Sequence, residues 1–133
     1  MTEIVVVKSE AEAAAKLSEI VRSSDDLVET INGESVLLLC TSCKGLLKRI
    51  TDYLKEDSSV DVTVSRQKTF VNRIKVVSED INPLCGRGLN VLAALVDERV
   101  IRKPMLGPFY DMLDSRIRSR FSYAGGRILS LRS

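Results

Sequence analysis

The chain contains no histidine. That absence removes Ser-His-Asp and Cys-His nucleophile pairs, His-containing zinc sites and HExxH proteases, because each needs an imidazole as base or ligand. Proton transfer would fall to carboxylate, Lys, Cys or Tyr. A non-enzymatic role is therefore the first expectation, with no catalytic residue and no cofactor nominated. Cysteine is scarce, at three residues. Three thiols cannot close a disulfide framework, which favours a reducing cytoplasm. Long apolar runs are missing as well. The run Val36–Cys40 is strand-sized, and nothing approaches the ~20 residues that span a bilayer. The first eight residues, Met1 to Lys8, carry neither a basic start before a long apolar stretch nor a small-residue cleavage site. No secretion and no membrane association are expected from such a start. Internal repeats and low-complexity segments are also absent.

What is present belongs to an ordinary globular chain. Of 133 residues, 44% are apolar and 29% charged, which suits one domain spanning 1–133 with its own core. The net charge of +2 conceals an asymmetry. Residues 1–65 hold 7 Lys/Arg against 12 Asp/Glu, a net of −5, whereas residues 66–133 hold 13 against 6, a net of +7. An anionic partner is the natural expectation for the second half.

The β-branched run Ile4–Val7 predicts a buried strand. Ser9 with Glu12 forms a capping box, opening a helix from Glu10 to about Arg22 with Ala13, Leu17, Ile20 and Val21 on one face. Ser23–Asp26 should break it, a short second turn following through Ile31, and Asn32–Gly33 stops the segment. Ser35–Cys40 is a continuous apolar strand suited to a central position. Cys43 to about Glu56 reads as a helix, with Leu46, Leu47, Ile50 and Leu54 inward. Val60–Ser65 alternates as a half-buried strand, Phe70–Val77 is another, and Arg66–Thr69 joins them as a hairpin. After turns at Asn82–Pro83 and Gly86–Gly88, a helix is expected from Leu89 to about Ile101, packing Leu89, Leu92, Val96 and Val100. Pro108 opens a last helix with the stripe Phe109, Met112, Leu113, Ile117 and Phe121. Ala124–Gly126 turns into a short final strand, Arg127–Leu131. The expected fold class is α/β (α+β) with a single mixed sheet. Residues 1–80 form a β-α-β-α-β-β core, and 81–133 add two helices and a short edge strand.

This element order, the stretch Val36–Ile50 (apolar strand, short turn with Lys44, helix alternating apolar and Lys positions) and the basic hairpin with Arg66 and Lys68 at its tip carry a resemblance. Residues 1–80 resemble the Alba family of small nucleic-acid-binding proteins. The resemblance implies a dimer that grips DNA or RNA through backbone phosphates, with Lys44, Lys48, Arg66 and Lys68 as phosphate ligands. Departures are the acidic turn Lys8–Glu12 after the first strand, where the family has a basic one, the short hairpin tip, and about 50 residues beyond the pattern.

Other constellations compete. Cys40-Thr41-Ser42-Cys43 is a CxxC between strand and helix, where a helix N-terminus lowers a thiol pKa. A thioredoxin-like dithiol of Cys40 and Cys43 is one alternative, although no Pro separates the cysteines and no aromatic precedes them. With Cys85 they could offer three thiolates to a metal, but a fourth ligand is missing. Thr41–Gly45 could cradle a phosphate without the glycine spacing of a P-loop. Arg66, Lys68, Arg73 and Lys75 line the hairpin, with Arg73 and Lys75 on one face by strand alternation, and suit sequence-tolerant polyanion binding. Arg116, Arg118, Arg120 and Arg127 crowd the last helix and beyond, with Tyr123 available for stacking. The leading expectation is a homodimeric module binding nucleic acid. The alternatives are the dithiol oxidoreductase and a non-enzymatic assembly subunit whose basic surface meets an acidic protein.

Overall fold

Short apolar runs separated by amphipathic helices build one mixed sheet between two helical layers. The computed structural model describes residues 3–28, 35–101, 103–117 and 127–132. The chain order is β1 (Ile4–Val7), α1 (Glu10–Val28), β2 (Ser35–Cys40), α2 (Leu46–Glu56), β3 (Val62–Ser65), β4 (Lys68–Val71), β5 (Ile74–Glu79), β6 (Asn90–Asp97), α3 (Leu106–Arg116) and β7 (Ile128–Leu131). Two short 3-10 turns, Glu98–Val100 and Lys103–Met105, link β6 to α3.

The sheet runs β1-β7-β6-β2-β5-β4-β3. Each neighbouring pair from β1 across to β5 is parallel, and β4 and β3 add an antiparallel meander. β2 is buried at all six positions, as a central parallel strand covered on both faces must be. Alternate residues serve opposite faces. Leu37 and Leu39 join α1 (Ala13, Leu17, Ile20) and α2 (Leu46, Ile50, Leu54) in one core. Val36, Leu38 and Cys40 join Phe109, Leu113 and Ile117 of α3 in the other.

The start of α1 follows its sequence signature. Ser9 Oγ accepts from the Glu12 amide at 3.1 Å, satisfying a donor that a helix end leaves orphaned, and the Glu12 carboxylate accepts from the amide of Lys8, the residue before the cap, at 3.1 Å. The helix does not break at Ser23–Asp26 but continues to Val28. Ser and Asp lose only a few tenths of a kcal/mol against better helix formers, and burial of Ile20 and Val21 in the core outweighs that.

Three further expectations are corrected. The segment expected as a helix over Leu89–Ile101 is the strand β6, buried from Val91 through Asp97. Val91–Val96 is apolar at every position, and a run apolar all round fits a strand sealed on both faces as well as it fits a helix face. The expected strand Phe70–Val77 is two strands, with Asn72–Arg73 as a two-residue turn that pairs Val71 with Ile74. Asn72 takes φ 55°, a conformation Asn tolerates better than other side chains. The last strand is not at an edge but inserts between β1 and β6, pairing with both. The outer strands are β1 and β3.

Candidate functional site

Adjacent strands β2 and β6 are followed by helices on opposite faces: α2 packs with Leu37 and Leu39, α3 with Leu38 and Cys40. The chain from β2 proceeds to β3–β5 on one side, and that from β6 to β7 on the other. Such a reversal leaves a crevice at the carboxyl ends of the strands, the customary ligand position in open α/β sheets.

The crevice holds a closed ring of six polar residues. Thr41 Oγ1 accepts from the Cys43 amide at 2.9 Å and donates to Asp97 Oδ2 at 2.9 Å. Arg99 grips Asp97 with two nitrogens, at 2.7 and 3.1 Å, and reaches Glu10 Oε2 at 3.1 Å. Arg49 grips Glu10 in the same forked way, at 2.6 and 3.0 Å, and its Nη2 lies 3.4 Å from Cys43 Sγ. Gly45 makes room for that reach, since a Cβ there would stand 2.5 Å from Arg49 Nη1. Asp97 is fully buried. Burial pushes its carboxyl up, but hydrogen bonds from Arg99 and Thr41 outweigh that and hold it below the ordinary carboxylate range. Hydrogen bonding from Arg49 holds Glu10 low. The Arg49 guanidinium, together with the Gly45 amide, lowers the Cys43 thiol.

The ring joins the ends of β1, β2 and β6 and satisfies itself. Four of its members, Glu10, Arg49, Asp97 and Arg99, carry charge, two of each sign, so it presents little net field to a ligand.

The two cysteines of the CxxC are not brought together. Cys40 belongs to the α3-side core with its Sγ 3.5 Å from Cys85 Sγ, while Cys43 packs on the α1/α2 side beside Arg49. Hydrogen bonding to Cys85 and burial push the Cys40 thiol well up. Among the described residues no cluster of three or more metal-ligating side chains exists.

The predicted cations divide into two groups. Lys48 pairs with Asp52 at 3.1 Å. Arg116 donates to the carbonyls of Cys85 and Pro83, pinning the 81–88 loop over the sheet. Arg127 is 7% exposed and spends Nη2 on the Ile117 carbonyl, and burial lowers its pKa. Arg127 is therefore corrected from a surface phosphate ligand to an internal strut, and the half-buried Arg116 is engaged with loop carbonyls. Arg118, Arg120 and Tyr123 lie outside the described residues.

The other group meets on the meander. Arg66 stands at the β3–β4 tip, and Lys68 beside it on β4. Lys75 on β5 lies directly across from Phe70. Lys68 and Phe70 share a face by alternation, and Thr63 on β3 completes the row opposite Phe70. That face is the α3 side of the sheet, but α3 packs on β2, β6 and β7, and no described helix covers β3 or β4 there. Among the described residues Arg66, Lys68 and Lys75 have no ion-pair partner. Lys44 is exposed on the turn after β2. Arg73 sits in the turn Asn72–Arg73 rather than in a strand, so it does not alternate with Lys75 as expected.

Sequence reading missed Phe70 as a functional candidate because one long strand gave it the wrong neighbours. The alternation Lys68-Thr69-Phe70 was the available signal. It also missed the ring, which is closed by three links spanning 39, 56 and 89 residues. Comparison with protein-family models, with curated proteins and with solved structures gives no match.

Proposed function

We propose that the protein is a non-enzymatic nucleic-acid-binding module that grips the phosphate backbone with the open face and tip of the β3–β5 meander. One observation carries this reading: Lys68 and Lys75 beside Phe70, and Arg66 at the tip, stand without ion-pair partners among the described residues, on a meander face that no described helix covers. Cations left unpaired on a concerted surface favour a polyanion through counterion release. Lys44 extends the positive edge beyond β2.

The β-α-β-α start of the chain keeps the Alba-like order, although a three-stranded meander follows it in place of the expected hairpin; a homodimer is part of the proposal. A reducing cytoplasm suits the three free cysteines. No described helix is long and apolar enough to cross a membrane.

The test is fluorescence anisotropy with labelled mixed-sequence DNA and RNA across a salt series. Affinity should fall steeply with salt, and replacing Lys68 and Lys75 together by Ala should reduce the slope of log K against log salt by about 1 to 2. Failure to bind either nucleic acid at low salt ends the reading.

A further inference from the structure

We infer that the meander binds single-stranded nucleic acid in preference to duplex, with one unpaired base stacked on Phe70. The inference rests on the nucleic-acid reading of that face and adds the strandedness of the ligand.

Phe70 is the one aromatic of the β3–β5 meander. The fully buried large side chains sit in one of two cores, and Phe109 fills the α3-side core. Phe70 belongs to neither. It lies half-buried on the middle strand of the meander, with Thr63 opposite on one side and Lys75 opposite on the other. Directly opposed residues in an antiparallel pair are about 5 Å apart at Cβ, and residues i and i+2 on one strand are separated by roughly 7 Å. Lys75 and Lys68 therefore flank the ring on two sides within reach of phosphates on either side of a stacked base. Thr63 is small, which leaves the β3 side low and open.

A flat aromatic bordered by ammonium groups is what a single strand uses. Every base has a π-face, so stacking is sequence-tolerant, and the cations follow the backbone. Bases of a duplex are already stacked and present only edges in the grooves, so a ring lying on a sheet surface cannot reach their faces. A duplex could still take the β3–β4 ribbon into its major groove with Arg66 leading. In that arrangement Phe70 would have no role. The residue separates the two modes.

The experiment uses the full chain, a fluorescein-labelled deoxythymidine decamer, the same decamer with abasic sites in place of its central bases, and a mixed-sequence duplex of equal length, all at one salt concentration. The wild-type protein should bind the thymidine decamer at least about 10-fold more tightly than the duplex. Phe70→Leu should weaken decamer binding by about 5- to 150-fold, the range expected for one stacked base, with the salt slope unchanged. Phe70→Tyr should retain affinity. The abasic decamer should bind the wild-type protein as weakly as Phe70→Leu binds the intact one, a comparison that needs no variant to fold. Equal affinity for intact and abasic decamers, or tighter binding of the duplex, overturns the inference while leaving phosphate binding in place. Absence of binding to all three probes at low salt overturns both.

Discussion

The two halves of the sheet handle charge in opposite ways. In the parallel part the inner strands β7, β6 and β2 are buried on both faces, and the charged groups at the strands' carboxyl ends are consumed by one another: Glu10, Arg49, Asp97 and Arg99 close a ring with Thr41 and Cys43. A second knot lies at the ends of β6 and β7, where Glu98 accepts from Tyr110, Ser130 and Arg132. In the β3–β5 meander the face opposite α1 and α2 is uncovered by any described helix, and Arg66, Lys68 and Lys75 have no ion-pair partner among the described residues. The crevice that topology marks for a ligand is thus occupied by the protein's own ion pairs, while the proposed binding surface lies on the antiparallel edge. Position in a fold suggests where to look, and the pairing state of the charges decides what is found there.

The sharpest way to break the contrast is to remove Asp97. Asp97→Ala leaves Arg99 facing Glu10 alone and deprives Thr41 of its acceptor, in a position with no solvent access for the carboxylate it replaces. Truncating one partner of a buried ion pair costs 3–5 kcal/mol. Arg99 is partly exposed, so a loss of about 3 kcal/mol in urea unfolding is expected, with unchanged m. Lys75→Ala in the meander should shift the same curve by no more than about 0.5 kcal/mol. If the two variants proved equally stable, the ring would not hold the strand ends together.

Acid should attack the same half first. Asp97, Glu10 and Glu98 all have pKa values below their ordinary ranges in the folded chain, so the unfolded chain takes up protons at a higher pH than the folded one. Their contribution is complete above the unfolded carboxylate values, about pH 4, and is lost as pH falls through the folded ones. Stability followed by circular dichroism should be flat above about pH 5 and decline below about pH 4. Asp57, held to about 2 by Ser18 and Ser59, extends the decline to lower pH. In Asp97→Asn the slope below pH 4 should be shallower, because one depressed carboxylate is gone.

Much of the parallel half could be read from sequence because local pattern and final position agree there. The capping box at Ser9, the apolar run Ser35–Cys40 and the inward positions Leu46, Ile50 and Leu54 each dictate the element observed. β6 misled because Leu89, Leu92, Val96 and Val100 fit helical spacing, while Ala93 and Ala94 favour helix locally. Only the parallel neighbours β2 and β7 force the extended form. The turn at Asn72–Arg73 carries no Gly or Pro, so one strand was read where two exist. Placement of β7 inside the sheet is a spatial fact that chain order does not encode. The arginine cluster misled in another way: Arg116 and Arg127 looked like surface charge, but their donors serve loop and helix carbonyls.

A smaller effect separates the three thiols. Iodoacetamide, with the thiolate displacing iodide, should label Cys43 well before Cys40 and Cys85, which are both buried. The pH midpoint of Cys43 labelling should lie below that of a free thiol, because the Arg49 guanidinium and the Gly45 amide favour the charged form. Arg49→Gln should move that midpoint upward. Labelling of Cys40 and Cys43 at similar rates, measured by peptide mass mapping, would restore the case for a dithiol.

The smallest expected change lies at the meander's tip, where stability and binding should part company. The turn between β3 and β4 has two residues, Arg66 at φ 49° and Gln67 at φ 68°. Two positive values in a two-residue hairpin are the geometry for which Asn-Gly is preferred. L side chains there are strained, and sites that keep such strain are often functional. Gln67→Gly should stabilise the protein by about 0.5–1 kcal/mol, since glycine adopts that backbone without steric cost. It should leave the salt slope for nucleic acid unchanged. Arg66→Asn should also relieve strain, but it should lower the slope by about 1. A double substitution to Asn-Gly would then give the most stable protein of the series and one of the weaker binders. Should Arg66→Asn leave affinity for the thymidine decamer and its salt slope intact, the tip is only a turn, and the phosphate contacts must be sought at Lys68 and Lys75 alone.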